Sequence, residues 1–452
     1  MEQIKTPYGL EEHLDAVCQQ DPQFEDLVSS WVLNKRSCAT ALKQVAQNYP
    51  HYSVHDELHA KNVISNMEQI LGEDRICKLS PTDTWMLLQL AYLHDFGMLL
   101  LYEKVEAEWV GEDFQEYLQE CRESNNPSVK QAADYLSDLK EHLRDDDFEK
   151  NWPVQVRRYV TYLISSYYRG KHADLSNQYI LSMIQNWGID LSHNGLIQPR
   201  LIKLLGQLSM LHTRDKEDVL AQDYMSNGYS ADYIHPRFLA EMLRLGDLLD
   251  VDNSRFEPAA EKVTGSLPDD SARHRKKHEA TVHLLITPEQ IEYRADCPDH
   301  PAYREARVFL DWLEDELTFS AIHWLGLIPN GFGGSAPRLT KKELLLNGKP
   351  DIENTSGLRF MMSQEKAFEI IEGSGIYSDK MVFLRELIQN AEDASKIQLW
   401  RDLQKRPGLY LQPHANADDL SHIQPYDLKP EAFDSYKITV DIERESDDRF
   451  RI

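Results

Sequence analysis

Residues 85–97, Trp85-Met86-Leu87-Leu88-Gln89-Leu90-Ala91-Tyr92-Leu93-His94-Asp95-Phe96-Gly97, decide the fold. With Gln89 the only strongly polar residue before His94, the run reads as a helix apolar almost all round, and such a helix belongs inside a core. Adjacent His and Asp at its end need a reason. An ionised carboxylate in a core costs several kcal/mol unless it is paired or bound to a cation, and imidazole is the commonest metal-ligating side chain.

Working outward, His55 and His59 lie four apart, on one helical face with Val63 and Met67. Leu243-Arg244-Leu245-Gly246-Asp247-Leu248-Leu249-Asp250 repeats the oddity, an acid within an apolar helix beside a glycine. From about residue 10 to 260 apolar positions recur at three and four, as in Val63, Met67, Ile70 and Leu201, Leu204, Leu205, Leu208, which predicts an α-helical domain. The stretch 103–150 is dense in Asp and Glu and reads as a solvated helical insertion. Between Ala280 and Ala295 the period changes to two, with Thr287-Pro288-Glu289 between the halves, which predicts a hairpin. A helix is expected around Arg304 to Leu325. Pro329-Asn330-Gly331-Phe332-Gly333-Gly334-Ser335-Ala336-Pro337 then opposes both helix and strand; with no Lys-Ser/Thr pair after the glycines, it reads as a linker and not a phosphate loop.

The chain of 452 residues is 41% hydrophobic and 10% aromatic, enough for two or three domains with real cores. Lys and Arg number 49 against 75 Asp and Glu, a net charge of −26 that disfavours broad nucleic-acid binding while leaving room for one local phosphate site. Five cysteines without a CxxC pair, no apolar leader and no uninterrupted membrane-length stretch predict a cytoplasmic protein with no membrane partner. Homo-oligomerisation stays open.

The order His59, then His94-Asp95, then Asp247, each on its own helix, resembles the HD superfamily of metal-dependent phosphohydrolases, here of the kind found in conflict systems. His59-Ala60-Lys61-Asn62-Val63 resembles that family's first motif, Ala91 to Gly97 its namesake, and Leu243 to Asp250 its last; the likeness spans roughly residues 45 to 260. It implies His59, His94, Asp95 and Asp247 as metal ligands, with His94 and Asp95 at the catalytic centre. His172 and His212 stand where two-metal members add ligands, so one or two ions are expected. Mixed imidazole and carboxylate ligation suits Mn, Fe, Ni, Co or Zn better than Mg. Substrate contacts are expected from His55, from Arg255 and from Lys277 in the basic cluster Arg273-His274-Arg275-Lys276-Lys277-His278, whose ordinary alternative is a solvated turn. His235, beside Pro236 at a helix start, reads as structural.

Near the other end, Glu386, Asn390 and Asp393 in Gly375 to Ala394 fall at i, i+4 and i+7 on one helical face. Spacing alone would make this an exposed polar stripe. The stretch resembles the first ATP-binding motif of the GHKL superfamily in its heat-shock-chaperone form, which implies Glu386 at the hydrolytic water, Asn390 at Mg²⁺ and Asp393 in the nucleotide pocket. A strand is expected over Tyr436 to Ile442, with a second beginning before Ile452. The later motifs of that family do not follow, so Mg-ATP binding would require the domain to be completed.

The expected architecture is mainly α: an HD-type helical domain with a small β-hairpin over 1–330, a linker over 331–345, and the opening portion of an α/β GHKL-type ATPase domain over 346–452. The expected activity is hydrolysis of a nucleotide or other phosphoester by metal-activated water, coupled to a chaperone-like ATPase module in antiviral defence. Two alternatives remain: an HD nuclease on single-stranded nucleic acid, and an ATP-dependent chaperone-like or signalling protein whose HD domain only senses a ligand.

Overall fold

The helix that decides the fold runs Pro81–Leu93, started by Pro81 and by the Ser80 hydroxyl, which accepts the Asp83 N–H at 2.9 Å. Every residue from Thr82 to Leu93 is buried, and helices from both sides of the sequence pack around it. The computed structural model describes residues 8–49, 56–124, 126–142, 152–251, 269–350, 382–413, 423, 427–434, 436, 443–446 and 449–451. The chain is mainly helical with small sheets and divides into two units, Met1–Thr355 and Ser356–Ile452.

In the first unit, helices Leu10–Gln20, Glu25–Leu42, Glu57–Leu71, Pro199–Met210 and Pro236–Leu248 surround the central helix. Asp56 caps Glu57–Leu71 by accepting the Leu58 N–H at 2.9 Å, and the helix buries His59, Asn62, Val63, Asn66, Met67 and Ile70 along one stripe. Glycine lets two of these elements approach closely. A Cβ at Gly246 would meet Met67 Cγ at 2.8 Å and the Val63 carbonyl at 3.1 Å, so the helices carrying His59 and Asp247 cross almost in backbone contact. Asn66 Nδ2 donates to the Gly246 carbonyl at 2.9 Å across that crossing. Asp83 fixes the start of Pro236–Leu248 by accepting the His235 N–H at 2.8 Å and Nδ1–H at 2.7 Å.

The acidic stretch forms helices Tyr102–Trp109, Glu112–Arg122 and Pro127–His142; with Trp152–Arg169 they build a satellite core from Cys121, Ala132, Ala133, Tyr162 and Leu163. The insertion therefore owns a small apolar centre beneath its charged face.

The expected hairpin is Thr281–Ile286 paired antiparallel with Gln290–Cys297, and its second strand turns Ile291, Tyr293 and Ala295 inward. Helix His300–Leu327, capped by Asp299, follows it. Here the secondary structure departs from the expected linker over 331–345. Gly331, Gly333 and Gly334 take positive φ and turn the chain, after which Arg338–Leu346 forms a strand parallel to Gln290–Cys297, completing a β-α-β unit. The charged face of this strand hides its pairing: Lys342 reaches Glu314 on the crossover helix at 2.7 Å, while Leu345 is buried.

The second unit contains helix Val382–Lys405, short helices Pro407–Tyr410 and Pro430–Asp434, and strands Glu443–Ser446 and Arg449–Arg451 paired antiparallel. Tyr436 lies in a turn with its hydroxyl 2.7 Å from Asp402 Oδ2; the rest of the strand expected over 436–442 lies outside the described residues.

Candidate metal centre

Five elements deliver one side chain or two each to a common point. His59 comes from the first turn of its helix, His94 and Asp95 from the end of the central helix, and Asp247 from the last turn of Pro236–Leu248. His172 opens helix His172–Leu181, and His212 sits in the 3₁₀ turn Leu211–Thr213 that follows Pro199–Met210.

Each imidazole has its Nδ1 committed. His59 Nδ1 is 2.5 Å from Asp250 Oδ2, His172 Nδ1 2.6 Å from the Arg169 carbonyl, and His212 Nδ1 2.6 Å from the Ser209 carbonyl. His94 Nδ1 faces the carbonyls of Leu90 and Ala91 at 3.3 and 3.2 Å. A carbonyl has no proton to give, so Nδ1 donates in each such pair and a neutral ring keeps its lone pair on Nε2.

All four Nε2 atoms converge. Those of His59 and His94 are 3.1 Å apart, and those of His172 and His212 are 2.9 Å apart. Lone pairs facing each other at such distances repel unless a proton or a cation lies between them. The carboxylates complete the pattern. Asp95 Oδ2 is 3.3 Å from His59 Nε2 and 3.2 Å from His94 Nε2, while its Oδ1 is 3.3 Å from His172 Nε2 and 3.6 Å from His212 Nε2. Asp247 Oδ1 joins the first group, 3.4 Å from His59 Nε2 and 3.8 Å from His94 Nε2. Two ligand groups thus share Asp95, one oxygen to each.

This donor set fits a divalent cation in each group. Ligands about 2.0–2.2 Å from a common ion lie roughly 3–3.5 Å from one another, close to the 2.9–3.8 Å found here, and imidazole with carboxylate suits Mn, Fe, Co, Ni or Zn. Protonation tells the same story. Burial pushes His94 down, but the Asp95 and Asp247 carboxylates outweigh it and hold the imidazole well above its usual value. Burial and the charge on His94 push His212 down to about 4. Against its own burial, Asp247 is held far below the usual carboxylate range by the hydrogen bond and charge of His94. A cation entering the first group would displace that proton, so uptake is coupled to pH.

The surroundings hold this geometry. Asp250 receives His59 on one oxygen and Asn62 Nδ2 at 3.0 Å on the other, fixing the ring's tautomer and direction. A Cβ at Gly97 would lie 2.0 Å from the His172 carbonyl, so only glycine lets the His94-Asp95 turn meet the His172 helix. Ser176 bridges the same seam, donating to the His94 carbonyl at 2.5 Å and accepting the Gly97 N–H at 2.8 Å. Asp250 and Asn62 were not singled out as site residues. The signal was present, since each stands three positions beyond a named ligand, on the same helical face or the turn that continues it.

His55 and Arg255 lie outside the described residues. The cluster around Lys277 is a helix, Asp269–Ala280, and not a turn; Lys277 itself is buried, with Nζ 5.0 Å from the centroid of the Phe309 ring. An ammonium over an aromatic face is held there by the attraction of the cation for the ring. In the second unit Glu386, Asn390 and Asp393 all lie within helix Val382–Lys405, and Asn390 and Asp393 are exposed.

Among the described residues no helix is long and apolar enough to cross a membrane. The HD-CE family model matches residues 49–318, more than half of the chain and all six converging residues. The chain therefore belongs to the HD-CE family and carries an HD-type domain. No curated protein and no solved structure matches it.

Proposed function

We propose that this HD-CE chain is a metal-dependent phosphohydrolase acting on a nucleotide or related phosphoester. The observation that carries the reading is Asp95, whose two oxygens face two separate imidazole pairs at 3.2–3.6 Å. Divalent cations bound there would polarise a phosphoryl oxygen and lower the pKa of a water ligand from about 15.7 toward about 7, so no serine or cysteine nucleophile is required. The chain's own residues supply the rest. Asp95 sets the spacing between the two positions. Asp250 and the Ser209 and Arg169 carbonyls aim the imidazoles, and the apolar core around His59 and His94 excludes water from the closed side. The open side is at Asp247 and His172, whose side chains are 28% and 17% exposed, and substrate approaches there. Exposed Arg169 and Lys171 adjoin that side in sequence and offer positive charge on a chain that is acidic in total.

The test is phosphate release from a panel of nucleotides with Mn²⁺, Co²⁺ or Ni²⁺. Wild-type protein is expected to turn over at least one of them, and Asp95→Ala to lose about a thousandfold or more of that rate. Degradation of single-stranded nucleic acid with free nucleotides untouched would move the reading to a nuclease, and equal activity in the variant would end it. For the second unit, the proposal is that the 375–394 stretch belongs to a GHKL-type ATPase module that regulates this centre. Its support is the sequence likeness and the helical register of Glu386, Asn390 and Asp393.

A further inference from the structure

Three positions before Asp247 on the same helix stands Arg244, which reaches away from the cations toward the backbone of the His212 turn. Its Nη1 donates to the Leu211 carbonyl at 2.6 Å and to the Arg214 carbonyl at 2.7 Å, the two carbonyls that bracket His212 and Thr213. Its other edge is held by Glu316 of the long helix His300–Leu327: Nε donates to Oε1, and Nη2 to Oε2 at 3.0 Å. Both side chains are about nine-tenths buried, at 11% and 10% exposure. Four hydrogen bonds thus use one planar fork in two directions, a task that suits guanidinium and that a single ammonium cannot span.

We propose that Arg244 is the positioning residue for His212, and through it for the second cation position. The inference rests on the two-cation reading above and deepens it. His212 belongs to a 3₁₀ turn, and its ring is aimed by the carbonyl of Ser209 within its own segment. Within that segment Leu211 is buried and Arg214 pairs by its side chain with Asp174 on the His172 helix. Arg244 adds a grip on the turn's backbone, because the helix that presents Asp247 to the first cation also holds the carbonyls at both ends of the His212 turn. Glu316 keeps the guanidinium flat and correctly rotated.

The test is a metal titration of the full chain with Mn²⁺ or Co²⁺, read as ions bound per chain and as two separate affinities. Wild type is expected to bind two. Arg244→Ala should keep the first ion at near wild-type affinity and bind the second about 10–100-fold more weakly, as expected when a ligand loses its outer support. Arg244→Lys, which restores charge without the fork, should not recover the second ion. Two ions at wild-type affinities in Arg244→Ala would overturn the positioning role and leave the two-cation reading standing. Equal weakening of both ions, in step with a lowered Tm, would reduce Arg244 to a structural residue and overturn the proposal. A wild type that binds a single ion would overturn the two-cation reading and this role with it. Should Arg244→Ala fail to fold, the pair Arg244→Met with Glu316→Gln removes both buried charges together, and the same three outcomes apply.

Discussion

The two halves of the candidate metal centre are built on different principles. The half formed by His59, His94 and Asp247 lies where three helices cross, with His59 and His94 almost wholly buried and His59 aimed by the carboxylate of Asp250. The half formed by His172 and His212 sits at a helix start and a 3₁₀ turn, and both rings are aimed only by carbonyls three residues back in their own segments. A carboxylate partner raises ligand basicity and adds negative charge, whereas a neutral carbonyl only orients. The first position should therefore bind tightly and the second should exchange readily.

The largest effect should separate the halves outright. His59→Ala is expected to remove the first ion and with it the proton-linked uptake, while His212→Ala should leave one ion per chain in metal analysis. Loss of both ions from His212→Ala would show that the halves do not bind independently. A smaller effect is expected from Asp250→Asn. The amide keeps the shape but removes the charge behind His59, so the first ion should bind about 10–100-fold more weakly in a competition titration with the second unchanged.

The smallest effect concerns stability and not metal. Glu241 lies one turn before Arg244, fully buried, accepting from Ser320 and without a partner on Oε2. Burial, reinforced by the charge on Glu316, pushes its carboxyl up to about 8. Folding therefore favours the protonated form. The folded state holds the proton across the window from about 4.5 to about 8 while the unfolded chain releases it, so stability falls as pH rises through that window and levels off above it. Glu241→Gln should flatten this slope and make the protein more stable than wild type at pH 8.5, by on the order of 2–4 kcal/mol in chemical denaturation. Parallel wild-type and variant curves from pH 5 to 9 would show that Glu241 does not titrate as described.

The same contrast explains what could be read in advance. Buried acids and imidazoles inside apolar helices stand out in a sequence because their cost demands a partner, as at His59, His94, Asp95 and Asp247, whereas His172 and His212 were suggested only by the likeness to two-metal HD enzymes. The hairpin at 281–297 was legible from its alternation. Residues that act through backbone were not. Arg244 grips carbonyls some thirty positions away in a turn, and no periodicity encodes such a contact. The placement of Lys277 was not legible either, because a run of basic residues gives no sign of which one faces a ring in the core. Strand Arg338–Leu346 escaped because its parallel partner lies beyond a 28-residue helix, and its own Lys and Glu face outward.

One missing carbon at residue 97 has a wide reach. Since no side chain, however small, fits between that backbone and the first carbonyl of the facing helix, the gap between the two imidazole pairs is gauged by bare main chain. Even a methyl inserted there would act as a wedge and push His94 and Asp95 away from His172, while the apolar interior beneath stayed closed.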